Sequence, residues 1–503
     1  MKRLILILLV SFIIPQSFAK NIQAYLSYCT FSSPTDGPYL ETYLSVYANS
    51  VQFKPTSEGK YQGSVGITMI FKQGETVKNF KKYELKSPLL NDTANLDFSF
   101  IDQQRILLPN GDYTFELQIR DLQDETPPLT DYVSLRIDYP SDKVSVSGIQ
   151  LLENFKKTET PGILSKSGYD MVPFIHNFFP QSIHKITFYS EIYNTDKILG
   201  ADSKYLLSCC IQSKETGKAL NDLIKNRKET AKQVCILFNE FDISNLPSGN
   251  YNLVVEVRNQ KNEIIASNLV FFQRSNPDVK LEVKDIAALN IRGSFAERIT
   301  NIDTLRENIK SLEPISTETE KIFAEAQLGK ADLLTMQQYF LNFWQRRDEL
   351  TPERSWLQYD EQVKAVSKEY RTPIKKGYET DRGRTYLKYG PPNTITDQPF
   401  EASTLGTVID NGDNYGYNPP TVPYQIWHYY QLPNNERDIK FVFVNAHLAE
   451  NDYTLIHSNA SGEVNNPNWQ AELQRQIGIE DRDNVAPHGR YKGKSGILYN
   501  DPK

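Results

Sequence analysis

One internal repeat constrains this chain more than any other feature. The stretch 108–121 returns at 246–259, with Leu108, Pro109, Gly111 and Tyr113 matched by Leu246, Pro247, Gly249 and Tyr251. After each tyrosine the alternate positions are apolar: Phe115, Leu117 and Ile119 in the first copy, Leu253, Val255 and Val257 in the second. Proline, a polar residue and glycine make a turn, and the alternation behind it is that of a strand with one face on a core. The offset of 138 residues between Leu108 and Leu246 is one domain's length.

The flanking sequence is written in the same way. Period-two runs at 39–47 and 63–71 are separated by turn clusters at 33–37, 108–111 and 124–128. The repeat therefore reads as the penultimate hairpin of an immunoglobulin-like or fibronectin-like sandwich, present twice. Two tandem all-β sandwiches are expected, at 20–142 and 143–277, joined near Pro140, Ser141 and Asp142.

Ahead of them, Met1, Lys2 and Arg3 are followed by an apolar run from 4 to 14 and by Ser17, Phe18 and Ala19. Charge, apolar core and small residues in that order form a secretory signal peptide over residues 1–19. As a helix the run would rise only about 16 Å, too little to remain as a membrane span. Cys29 lies well past the apolar run, behind bulky Tyr28, which argues against lipidation, so no transmembrane segment is expected after cleavage. Export to the periplasm is the preferred location, with the cell surface or secretion as alternatives. The net charge of −6 without a basic block argues against nucleic acid as a partner.

Cys29, Cys209, Cys210 and Cys235 are too few to be the framework of 503 residues. Neighbours on a strand face opposite ways, so a bridge from Cys235 to either Cys209 or Cys210 stands beside the alternative of plain buried thiols.

Past Pro277 the period becomes helical. Asp303 precedes Leu305, Ile309 and Leu312; Thr317 and Glu320 form a capping box; Leu333, Met336, Phe340, Phe343 and Trp344 share a face. Thr351 and Pro352 open a further helix carrying Trp356, Tyr359, Val363, Val366 and Tyr370. Strands are expected at 385–389, 424–430, 438–444 and 453–456, with a long connection at 390–422. Residues 278–456 thus read as an α+β domain, helices on a small antiparallel sheet, and 457–503 as an extended or disordered tail.

Within that domain Gly377, Tyr378, Thr380, Asp381, Arg382, Gly383, Arg384, Tyr389 and Gly390 resemble the GWxTD domain family of exported bacterial proteins. The likeness extends upstream to residues 343–348 and downstream to 424–429, including Trp427, and to 441–443, so it covers roughly 300–456. It implies a bacterial envelope protein, with N-terminal sandwiches as in Bacteroidetes members; the family carries no settled activity. Tyr378 stands where the family usually has Trp, which keeps an aromatic and removes an indole N–H. Physically, the glycines suit a tight backbone path, Thr380 or Asp381 can accept from backbone N–H groups, and Arg382 and Arg384 offer forks to carboxylates. Asp348, beside Arg346 and Arg347, could complete an ionic cluster. Either a structural corner or an anion or peptide-carboxylate site bordered by the 390–422 loop would use these residues.

The sequence carries none of the familiar catalytic or metal-binding spacings. Residues 489–495 miss the P-loop spacing, 410–414 lack the spacing of a calcium loop, and the six histidines show no zinc pairing. No GxSxG elbow occurs. No cofactor, metal or catalytic residue is therefore assigned. The expectation is an envelope interaction or scaffold protein, its GWxTD-like domain a recognition head for an envelope protein or polymer. The alternatives are an exported hydrolase acting at Asp381 on an envelope polymer, or a carbohydrate-binding protein with a row of exposed aromatics.

Overall fold

The computed structural model describes residues 22–124, 127–279, 289–327, 329–399, 404–406, 416–418, 421–432, 436–473 and 495–500. Residues 1–19, expected as a signal peptide, residues 400–403, 407–415 and 419–420 of the 390–422 connection, which include the 410–414 stretch, and residues 489–494 lie outside them. Two compact units result, one of residues 1–28 and 39–138, the other of 29–38 and 139–503.

The first unit is a β-sandwich. In one sheet Tyr61–Gln73 pairs with Thr76–Lys86 on one side and Gly111–Asp121 on the other, followed by Leu129–Ile137. The alternating Val65, Ile67, Met69 and Phe71 are fully buried, and Phe71 stacks on its register partner Phe115 at 4.6 Å. The Tyr113 hydroxyl donates back to the Pro109 carbonyl at 2.8 Å. That bond is a tyrosine corner, which pins the turn to the strand it starts.

The second unit begins with another sandwich. One sheet runs Ser165–Lys166, Tyr169–Pro173, Gln150–Lys157, Lys185–Tyr193, Val234–Asp242; the other runs Phe178–Phe179, Ile264–Arg274, Gly249–Arg258, Lys204–Ser213, Ala219–Thr230. Between them lie Ile186, Phe188, Leu237 and Phe241 from the first sheet and Leu207, Ile211, Leu253 and Val255 from the second. The second tyrosine corner is present, Tyr251 donating to the Pro247 carbonyl at 3.0 Å. The bridge considered for Cys235 is not formed: Cys209, Cys210 and Cys235 are buried free thiols. Cys235 lies not on a strand adjacent to Cys209 and Cys210 but in the opposite sheet. Cys209 and Cys235 both belong to the core between the two sheets, where each is buried as a thiol. Burial pushes the Cys209 thiol up to about 11.

The α+β domain follows. Its helices are α1 (Ile302–Lys310), α2 (Glu318–Gln327), α3 (Leu333–Arg347), α4 (Pro352–Glu369) and α5 (Asp381–Tyr389). Its sheet is β1 (Thr394–Gln398), β2 (Tyr424–Gln431), β3 (Arg437–Val444) and β4 (Thr454–Ser458), antiparallel in that order. The Thr317–Glu320 capping box forms, the Thr317 N–H reaching Glu320 Oε2 at 2.9 Å and the Glu320 N–H reaching Thr317 Oγ1 at 3.3 Å. The cap of α1 is Asn301, which accepts from the N–H groups of Asp303 and Thr304, rather than Asp303 itself. Trp344, Trp356, Tyr359, Tyr370, Trp427 and Phe443 join the helices to one face of the sheet.

Two expectations are corrected. Residues 385–389 are not a strand but the second half of α5, because Thr380 caps a helix there, its Oγ1 accepting from the Gly383 N–H at 3.1 Å. Nor is the chain beyond 457 simply extended. Trp469 and Leu473, with Leu498 and Tyr499, pack on Tyr424, Ile426, Val442 and Ile456 and cover the other face of the sheet. That face carries alternating apolar residues and needs a cover. Among the described residues no helix is long and apolar enough to cross a membrane.

Candidate functional site

The GWxTD-like residues build the corner where α4, a 3₁₀ turn at Gly377–Glu379 and α5 meet. A Cβ at Gly377 would fall on the Val366 carbonyl and lie 2.6 Å from Ser367 Cα; one at Gly383 would fall on the Gly377 carbonyl and lie 2.6 Å from Val366 Cγ1. Only glycine lets the three backbones close to this distance. Thr380 clamps the turn, donating to the Gly377 carbonyl at 2.7 Å while it caps α5.

The other motif side chains reach outward from this knot. Tyr378 is buried and donates to Glu307 Oε1 at 2.7 Å, and Lys376 pairs with the same carboxylate. Burial pushes the Glu307 carboxyl up, but Lys376 and the Tyr378 hydroxyl outweigh it and hold the group below the ordinary range. Asp381 accepts from the Leu455 N–H at 2.8 Å and so ties α5 to β4. Arg382 is 4% exposed and reaches Gln425 Oε1 at 3.2 Å, the Asn451 carbonyl at 3.0 Å and the Asn451 side chain, beneath the ring of Tyr453 at 4.2 Å. Trp427, fully buried, donates its indole N–H to the same Gln425 oxygen at 3.2 Å. Gly390, with φ of 82°, ends α5 and accepts from the Tyr429 hydroxyl at 2.9 Å.

Arg384 and Tyr389 lead to a residue that the sequence reading missed. Glu463 receives Arg384 through two bonds of 3.3 and 2.9 Å, Lys388 at 2.7 Å and the Tyr389 hydroxyl at 2.8 Å. Its side chain is 4% exposed. Burial pushes its carboxyl up, and Lys388 and Arg384 bring it down to about 2. The adjoining loop meets the second sandwich, where Lys214 pairs with Glu436 at 3.0 Å and points at the Ser461 carbonyl. Nothing local marks Glu463 in a polar stretch; the one available signal was the need of Arg384 for an anion.

Asp348 does not join this cluster. It accepts from the Thr351 N–H at 2.9 Å, from Thr351 Oγ1 at 2.6 Å and from Ser355 Oγ at 2.7 Å, fixing the start of α4 and bringing its carboxyl down to about 2. Arg347 pairs instead with Glu320 at 2.8 Å.

Both forks and the aspartate are thus turned inward, and the concave surface lies beside them. A cleft of about 480 Å³ opens between α1, α4 and the loop 371–378, with Glu307, Asp360, Arg371, Lys376 and Tyr378 on its walls. A second cleft, of about 640 Å³, lies between Phe295, Leu350 and Leu357. Asp381 lines neither. On the second sandwich, Phe155, Tyr169 and Phe238 form an aromatic group on the side of the sheet away from the core, with Phe155 and Phe238 stacked at 4.4 Å and Tyr169 4.7 Å from Phe238.

The fold defines a chain of tandem immunoglobulin- or fibronectin-like sandwiches followed by an α+β domain. No family profile and no curated protein matches its sequence. Similar solved structures include a glycosyl hydrolase family 2 member from Bacteroides cellulosilyticus, 10% identical, covering 46% of this chain and 26% of that one at a TM-score of 0.18. Fibronectin(III)-like modules of Clostridium thermocellum CbhA are 7% identical, covering 48% of this chain and 89% of theirs at a TM-score of 0.15. Salmonella alpha-2-macroglobulin is 12% identical, covering 51% of this chain and 17% of that one at a TM-score of 0.17.

Proposed function

We propose that this is an exported cell-envelope protein of the GWxTD type whose α+β domain is a recognition head, carried on sandwiches that act as spacers or docking modules. The observation that carries the reading is the inward direction of Asp381, Arg382 and Arg384 beside an open cleft. A corner that holds its own charged groups is suited to present a rigid surface rather than to transform a substrate. The hydrolase reading needs Asp381 in a cleft with a second carboxylate, and its bond to the Leu455 N–H gives it a structural task instead.

The test is affinity purification of the tagged, full-length protein from crosslinked native cells. A stoichiometric envelope partner supports the reading; a protein that stays monomeric and captures no envelope component overturns it.

Carbohydrate binding remains a second reading, favoured by the Phe155, Tyr169 and Phe238 group, of which Phe155 is 38% exposed. Aromatic faces of this kind can stack on sugar rings. Retention on insoluble cell-wall polysaccharide, lost in Phe155→Ala, would favour it; equal retention of both proteins would dismiss it.

A further inference from the structure

We propose that the cleft between α1, α4 and the loop 371–378 binds an acidic segment of a partner protein, with Arg371 as its anion-binding group and Ile374 as its apolar contact. The inference rests on the recognition-head reading and names the chemistry of what that head would hold.

The charges of the cleft carry it. Its two lining carboxylates are already occupied: Glu307 by Lys376 and the Tyr378 hydroxyl, Asp360 by Lys364 at 2.6 Å. Lys375, the third cation of the loop, faces Asp452 at 3.4 Å. Arg371 is exposed on the same wall, and among the described residues its guanidinium has no hydrogen bond or ion pair. The cleft therefore carries one surplus positive charge, on the side chain best shaped to grip a carboxylate with two bonds.

The neighbouring backbone does not oppose an anion there. The end of α4 and the loop that follows would present bare carbonyls, but Asn451 Nδ2 donates to those of Glu369, the last helical residue, and Arg371, at 2.9 Å each. Beside Arg371, Pro373 and Ile374 form an apolar rim, and Ile374 is 86% exposed. A lone inorganic anion would leave that rim bare. An extended segment in which a carboxylate adjoins an apolar side chain fills both features, and the cleft volume falls in the range of ligand pockets.

The knot of Gly377 and Gly383 explains how such a site keeps its shape. It fixes the end of the loop against Val366 and Ser367 of α4, the helix that forms the opposite wall.

The experiment uses the full-length protein and a fluorescein-labelled hexapeptide of alternating aspartate and leucine, followed by fluorescence anisotropy at low salt. The asparagine–leucine peptide is the comparison. Arg371→Glu is the test variant, and Lys157→Glu, an exposed change on the second sandwich, controls for net charge. The acidic peptide is expected to bind about tenfold or more tightly than the neutral one, to lose about tenfold in Arg371→Glu and to be unaffected by Lys157→Glu. Unchanged tryptophan emission would show that the domain remains folded. Equal binding of the two peptides, or full binding by Arg371→Glu, overturns the proposal. Capture from crosslinked cells separates the two levels: a partner retained by Arg371→Glu overturns this inference and leaves the recognition head standing, whereas no partner with the unaltered protein overturns the recognition head itself.

Discussion

Replacing Glu463 with alanine removes the anion on which Arg384, Lys388 and Tyr389 converge. Its carboxyl lies at about 2 against an ordinary 4.5, a shift equivalent to about 3 kcal/mol of preference for the charged form in the folded state. Removing one member of a buried ion pair leaves the others uncompensated, at a cost of about 3 to 5 kcal/mol. The four tryptophans, Trp344, Trp356, Trp427 and Trp469, all lie after the sandwiches, so their emission during urea unfolding reports on this domain alone. The expected result is a large fall in urea midpoint for Glu463→Ala. The pH dependence has a definite sign: because the folded carboxyl titrates below the unfolded one, the stabilisation is complete above pH 4.5 and is lost as pH falls toward 2. Glu463→Ala should flatten that part of the profile. A loss below about 1 kcal/mol, the level of an exposed pair, would refute the view that this cluster holds the loop in place.

Other consequences follow from the same geometry. Gly383→Ala places a methyl group on the Gly377 carbonyl and should cost about 3 kcal/mol or more, seen as loss of soluble protein or of the tryptophan-monitored transition. His457 is buried, accepts from the Asn466 N–H at 3.1 Å and contacts the Tyr499 hydroxyl; burial brings its imidazole down to about 4. Since the unfolded chain takes up that proton first, stability should fall by about 3 kcal/mol as pH drops from 6.5 to 4, and His457→Phe should remove this slope in urea titrations at stepped pH. Tyr251→Phe deletes the corner bond to the Pro247 carbonyl and should lower the stability of the second sandwich by about 1 kcal/mol, read by far-ultraviolet circular dichroism.

What the sequence disclosed was local. The turn and following strand of the repeat lie within a few residues of Tyr113 and Tyr251, and both tyrosine corners close over that distance. The capping box at Thr317 and Glu320 and the helix start at Pro352 were legible for the same reason. Residues 385–389 misled because Thr385 and Tyr386 suit a strand, while the decisive residue, Thr380, stands outside the segment and acts as a cap. The candidate site was half legible: the glycines and Thr380 announced a tight path, but the partners of Arg382 and Arg384 are Asn451 and Glu463, far along the chain. The choice between a bridge and buried thiols at Cys235 was not legible either, since period two gives the face of a residue and not the sheet that holds it; the structure has the thiols.

The most direct measurement is photo-crosslinking in the cell from a photoreactive amino acid at position 374, beside the same probe at position 155 on the second sandwich. A discrete adduct to one envelope component from position 374, absent when Arg371→Glu is added, is the predicted result. Adducts from position 155 alone would contradict the account and move recognition to the sandwich.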